Sequence, residues 1–152
     1  MNKECFNAKM APAAIGPYSH ATRAGGFVFL SGQLGIEPGT GKLVDGGVVK
    51  ETERALKNIG AILSEMGLDF SAIVKTTVFL RSMGDFKVMN AVYASFFCSA
   101  APARSAIQVA ALPMEASVEI EVVAEDSRPA VRIAPCEVAL GADPGAAPYN
   151  AR

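Results

Sequence analysis

Hydrophobic and polar residues change period several times along this chain, and each change marks an element. Phe27-Val28-Phe29-Leu30-Ser31-Gly32 is a β-rich run behind Gly25-Gly26, a hairpin signal that pairs it with roughly residues 19–23. Residues 37–47 combine Pro38 with scattered glycines, which predicts a loop. Val49, Leu56, Ile59, Leu63 and Met66 then recur on one face of the 3.6-residue period, predicting a helix over about 48–66, with Gly67 placed for a left-handed stop. In 73–81, Val74, Thr76, Val78 and Leu80 alternate with Lys75, Thr77, Phe79 and Arg81, as a strand requires. Phe86, Met89, Tyr93 and Phe96 or Phe97 predict the buried face of a second helix over 85–97. Strands near 105–110 and 117–125 complete a ββαβαββ order. Helices so placed cover one face of a sheet, an α+β two-layer sandwich.

The last strand carries the chemically informative pattern. Val118, Ile120, Val122 and Ala124 point towards the helices, whereas Glu119, Glu121, Val123 and Glu125 point to the other face. That second face is either wet or covered by another subunit. A single strand carboxylate is more often solvated than functional.

Composition narrows the classes. The chain has 152 residues, is 51% hydrophobic and 19% charged, and carries a formal net charge of −1. Its mean hydropathy is +0.28 and its pI about 5.8. Disorder is excluded by the apolar content, and a nucleic-acid partner is not expected without a basic surface. No segment approaches the ~20 apolar residues of a membrane span. Cys5, Cys98 and Cys136 are odd in number and far apart, which fits a reducing compartment and neither a disulfide framework nor a zinc site. The N-terminus lacks an apolar signal-peptide core, and the expected location is cytoplasmic.

Several local patterns invite chemistry. Gly39-Thr40-Gly41-Lys42 lacks the glycine needed at Ile36 and the Ser or Thr needed at Leu43 for a phosphate loop, so it is a turn. His20, the one histidine, is a possible general base, but on an edge strand the commoner outcome is a surface residue. Tyr93 fits a buried stripe, while Asn90 sits beside it and is placed to hydrogen-bond across an interface. Pro102-Ala103-Arg104-Ser105 brings an arginine into a strand on a stiffened approach. Its guanidinium suits either a salt bridge to Glu119 or Glu121 or an anionic ligand.

The segments 11–19 (Ala-Pro-Ala-Ala-Ile-Gly-Pro-Tyr-Ser), Ser31-Gly32-Gln33, 74–80 (Val-Lys-Thr-Thr-Val-Phe-Leu), Asn90-Ala91-Val92-Tyr93 and Pro102-Ala103-Arg104-Ser105, followed by Leu112-Pro113 and Val118-Glu119-Ile120-Glu121, resemble the RidA (YjgF-type) family in order and spacing over about 8–125. The resemblance implies a chorismate-mutase-like homotrimer with clefts between subunits and, as activity, hydrolytic deamination of reactive enamines and imines such as 2-aminoacrylate released by pyridoxal-phosphate enzymes. It assigns Arg104 to the substrate carboxylate and Glu119 to the water, with Tyr18, Ser31, Gly32 and Asn90 as cleft residues. Ala106 stands where the family often has cysteine, leaving its backbone groups to hold water or substrate. No metal or cofactor is implied, because an iminium carbon is already electrophilic and needs an anion clamp, a held water and a proton acceptor. Endoribonuclease activity and passive binding of small carboxylates are the competing readings.

Residues 126–152 depart from the resemblance. Pro129, Pro135, Pro144 and Pro148 break any long helix, and the segment is Pro/Ala/Gly-rich with little apolar surface. The expectation is a mobile extension outside a 1–125 domain.

Overall fold

A computed structural model describes residues 3–97 and 100–128. Its strands are β1 (Glu4–Phe6), β2 (Ala21–Ala24), β3 (Phe27–Leu34), β4 (Ile36–Glu37), β5 (Lys42–Leu43), β6 (Ile73–Leu80), β7 (Ala103–Gln108) and β8 (Val118–Glu125). The two α-helices are α1 (Gly47–Glu65) and α2 (Phe86–Ala94). Six strands form one sheet in the order β1-β2-β3-β8-β6-β7, and β4 and β5 form a separate small ribbon. Only β6 and β7 pair in parallel, as the crossover through α2 demands; every other pair is antiparallel. The architecture is the expected α+β one, extended by β1 and by a hairpin inside the stretch expected to be all loop.

Both helices lie on one face of the sheet. Leu56, Ile59, Ile62 and Leu63 of α1 and Met89 of α2 are fully enclosed against Val28, Val78, Leu80, Val118, Ile120 and Val122. Gly67 takes φ +71° just beyond α1, the left-handed turn that lets the chain reverse.

Three expected core positions lie elsewhere. Val49 is 40% exposed because it falls at the outer edge of the α1 stripe. Val74 is equally exposed because the β6–β8 register shifts between Ile73 and Lys75, turning it away from the helices. Phe86, at 37% exposure, opens the second helix and is covered on one side by Arg104 instead of the core.

Two buried polar groups set the geometry around β3 and β8. Asn58 of α1 donates from Nδ2 to the carbonyls of Leu34 (3.2 Å) and Ile36 (2.9 Å), satisfying the backbone where β3 bends into β4. Glu51, also buried, accepts from the Ser117 N–H (2.6 Å) and hydroxyl (2.9 Å), tying α1 to the entrance of β8. The end of β8 is fastened as well. Asp126 donates its N–H to Gly26 (2.8 Å), and its enclosed carboxylate pairs with Arg23 and Arg128. Hydrogen bonds from Arg128, reinforced by Arg23, hold that carboxyl down at about 2. The contacts of the body therefore continue through Arg128. The extension expected to be mobile lies, from residue 129 onward, outside the described residues.

Candidate functional site

A cavity of about 390 Å³ opens beside the end of β3. Its floor follows from an irregularity in the strand pairing. Between Leu30 and Gln33 the β3–β8 register shifts, so Ser31 and Gly32 bulge opposite Glu121, while Glu119 pairs with Leu34 a little further along. The Glu119 side chain lies directly over Gly32. A Cβ there would stand 2.7 Å from its Cδ and closer still to Oε1, so only glycine admits the carboxylate.

Glu119 is half-buried, and among the described residues its oxygens make no hydrogen bond. Burial, reinforced by the charge of Glu121 on the same sheet face, pushes its carboxyl above the ordinary range. A carboxylate left without partners in a cavity and made more basic is a competent proton acceptor. Ser31 donates its hydroxyl to the Ser19 carbonyl (2.8 Å), which leaves its lone pairs for a donor in the cavity. Tyr18, 46% exposed, lines the same cavity. Four of the residues expected at the site, Tyr18, Ser31, Gly32 and Glu119, thus meet in one place.

The other three do not join them. Arg104 lies beside Thr76 in the β7–β6 register, and Thr76 faces the helices. The Arg104 guanidinium therefore rests over the rings of Tyr93 (4.5 Å) and Phe86 (5.7 Å) of α2, on the sheet face opposite Glu119. This corrects the expected salt bridge to Glu119 or Glu121, which the sheet itself prevents. Among the described residues Arg104 has no ion pair, so its charge is balanced only by ring faces. Asn90, half-buried, is four residues beyond Phe86 and three before Tyr93, on the strip of α2 that Arg104 overlies. Ala106 follows on the same side of β7 and packs against the core. Tyr93 is itself anchored by its hydroxyl to Thr76 Oγ1 at 2.8 Å. The cavity with its carboxylate and the Arg104 guanidinium on its aromatic rings thus lie on opposite faces of the sheet.

His20 is neither exposed nor free to act as a base. It is 3% exposed, its Nδ1 accepts the Ala8 N–H (2.9 Å), and its Nε2 donates to the Pro12 carbonyl (2.8 Å). A carbonyl can only accept and an N–H can only donate, so the ring is the neutral Nε2–H tautomer. Sequence reasoning also missed Leu34, Ile36 and Ile15, which give the cavity wall apolar surface alongside Pro12, Ala13 and Pro113. Ile36 sits inside the glycine-flanked hairpin, where nothing in the local pattern separates a lining residue from a loop.

A two-layer fold with a bulged strand, a half-buried glutamate over a glycine and an unpaired arginine on the far sheet face defines a class, and the chain belongs to the endoribonuclease L-PSP family, whose model matches residues 8–126. It is 51% identical over 124 residues to the chloroplastic Reactive Intermediate Deaminase A of Arabidopsis thaliana, covering 82% of this chain and 66% of that protein. It is 49% identical over 122 residues to the 2-iminobutanoate/2-iminopropanoate deaminase of Mus musculus, covering 80% and 90%. Among solved structures, the conserved Rid family protein YyfA of Yersinia pestis superposes with a TM-score of 0.79 at 44% identity, over 82% of this chain and 99% of that one.

Proposed function

We propose that this protein hydrolyses reactive 2-imino acids, of the 2-iminopropanoate and 2-iminobutanoate type, to 2-keto acids and ammonia. The observation that carries the reading is the Glu119 carboxylate, without hydrogen-bond partners and raised in basicity, above Gly32 in a cavity that also holds Ser31 and Tyr18. Acting on the protonated imine, Glu119 takes a proton from water as the water oxygen bonds to the imine carbon and the C=N π pair moves onto nitrogen, giving a neutral carbinolamine. That proton is then delivered to nitrogen, and as the C–N bond breaks and the carbonyl forms, Glu119 takes the hydroxyl proton, which leaves with ammonia as ammonium. Atoms and charge balance with one water consumed.

The substrate carboxylate needs a cation, and the cavity of one chain offers none. Arg104 supplies it from a neighbouring copy. This reading is supported by the position of Arg104 on edge strand β7, by its lack of an ion pair, and by the apolar free sheet face bearing Phe27, Phe29 and Ile107, each more than 40% exposed. Cyclic closure into a homotrimer covers that face and joins each cavity to a second chain's Arg104, Asn90 and Ala106 backbone. The biological source of substrate would be pyridoxal-phosphate enzymes that release enamines, in the same compartment, taken here as the cytoplasm. Among the described residues no helix is long and apolar enough to cross a membrane.

The test adds the purified protein to a threonine dehydratase reaction and follows release of 2-ketobutyrate. Acceleration beyond spontaneous hydrolysis is expected. Saturable 2-ketobutyrate binding without acceleration would overturn the enzymatic reading in favour of a carboxylate-binding module. Cleavage of single-stranded RNA in place of imine turnover would favour the activity in the family's name.

A further inference from the structure

Residues 8–18 form a strap without regular secondary structure that crosses the mouth of the cavity and contributes Pro12, Ala13, Ile15 and Tyr18 to its wall. A segment of this kind has no helix or strand ladder to hold it, so side chains must satisfy its backbone groups. Two do so. His20 bridges the strap from below, accepting from Ala8 (2.9 Å) and donating to Pro12 (2.8 Å). Glu65, at the end of α1, holds it from outside, its carboxylate accepting from the N–H groups of Lys9 (3.0 Å) and Met10 (2.7 Å). The backbone N–H of His20 in turn donates to Asn7 Oδ1 (3.1 Å), and its carbonyl accepts from the Ser31 N–H (3.0 Å), so the same residue is joined to the cavity floor.

We propose that His20 is a positioning residue for the deamination site: as a neutral imidazole it fixes the strap at both ends of its first turn and thereby sets where Ile15 and Tyr18 stand relative to Ser31 and Glu119. The proposal rests on the imine-deaminase reading for its kinetic consequence, but not for its structural one. With both ring nitrogens engaged, His20 itself exchanges no proton with substrate. Its effect is on how firmly substrate is held, because the wall moves while Glu119 on β8 does not.

Two substitutions separate positioning from simple packing. His20→Met retains an apolar filler but neither accepts nor donates, whereas His20→Gln supplies an acceptor oxygen and a donor nitrogen with the spacing of the ring. In the full-length protein, His20→Met is expected to raise KM roughly tenfold with kcat within about threefold, and His20→Gln to return KM most of the way. Amide exchange at Ala8, Lys9 and Met10 should accelerate in His20→Met and slow again in His20→Gln. Glu65→Ala, at an exposed position, should loosen Lys9 and Met10 and raise KM in the same direction should His20→Met fail to fold. Unchanged KM in folded His20→Met, or in Glu65→Ala, overturns the proposal, as does equal impairment of His20→Met and His20→Gln. Should the wild-type protein deaminate nothing, the functional reading fails alone. Exchange at the three amides and the Kd for 2-ketobutyrate then decide the strap: faster exchange with weaker binding in His20→Met supports it, and no change in either rejects it.

Discussion

At the scale of single residues, Glu119 is held in an environment that favours its neutral form. Its ordinary pKa applies in the unfolded chain and a higher one in the folded protein, so the folded state binds the proton more tightly. Ionised Glu119 therefore lowers stability at neutral pH, and that penalty fades as pH falls through the raised value. Glu119→Gln removes the penalty together with the base. Turnover should fall by roughly 10²–10⁴, while the melting temperature at pH 7 stays level or rises. The stability difference between the two proteins should shrink as pH is lowered towards 4. Full turnover in a folded Glu119→Gln protein would move the proton acceptor elsewhere. Arg104 is the opposite case: its positive charge rests on the aromatic faces of Tyr93 and Phe86, and in the proposed mechanism it would exchange them for the substrate carboxylate.

At the scale of elements, β3 breaks its register at Ser31 and Gly32, and the Glu119 side chain of β8 lies over the glycine of that bulge. Gly32→Ala tests that coincidence. The added methyl must displace the Glu119 carboxylate, so turnover should drop to within about tenfold of Glu119→Gln, and combining the two substitutions should cost little more than either alone. Additive losses would show that Gly32 matters for some other reason. Periodicity made α1, α2, β6 and β8 legible, although Val74 of β6 and Phe86 of α2 fell outside the stripes they were read into, and the alternation in β8 correctly separated Glu119 from the helix face. It gave no orientation for β7, where the apolar Ile107 faces away from the helices and the charged Arg104 faces towards them, so that the salt bridge expected with Glu119 or Glu121 does not form. An edge strand has little core to impose on its side chains, so its pattern does not report its orientation. His20 was illegible for a different reason: its partners Ala8 and Pro12 lie in coil, whose path only the folded chain determines.

At the scale of the molecule, the sheet separates the two charged halves of the proposed chemistry and no side chain reaches around it. In the proposed homotrimer, neighbouring copies complete each other. A folded Arg104→Lys protein should lose deamination, because lysine keeps the charge without the planar fork. Unfolded and refolded with an equal amount of Glu119→Gln, it should regain about a quarter of wild-type activity, the share of interfaces at which random assortment joins an intact arginine to an intact glutamate. Recovery of none would place both groups within one chain's site. Light scattering at micromolar concentration should report three copies. The opposed placement of Arg104 and Glu119 also reaches beyond chemistry into dosage. Doubling the abundance of a chain whose site needs two copies more than doubles the working sites wherever assembly is incomplete, so output rises faster than expression. A cell carrying one intact and one arginine-deficient gene copy would then have damaged sites built partly from its sound chains.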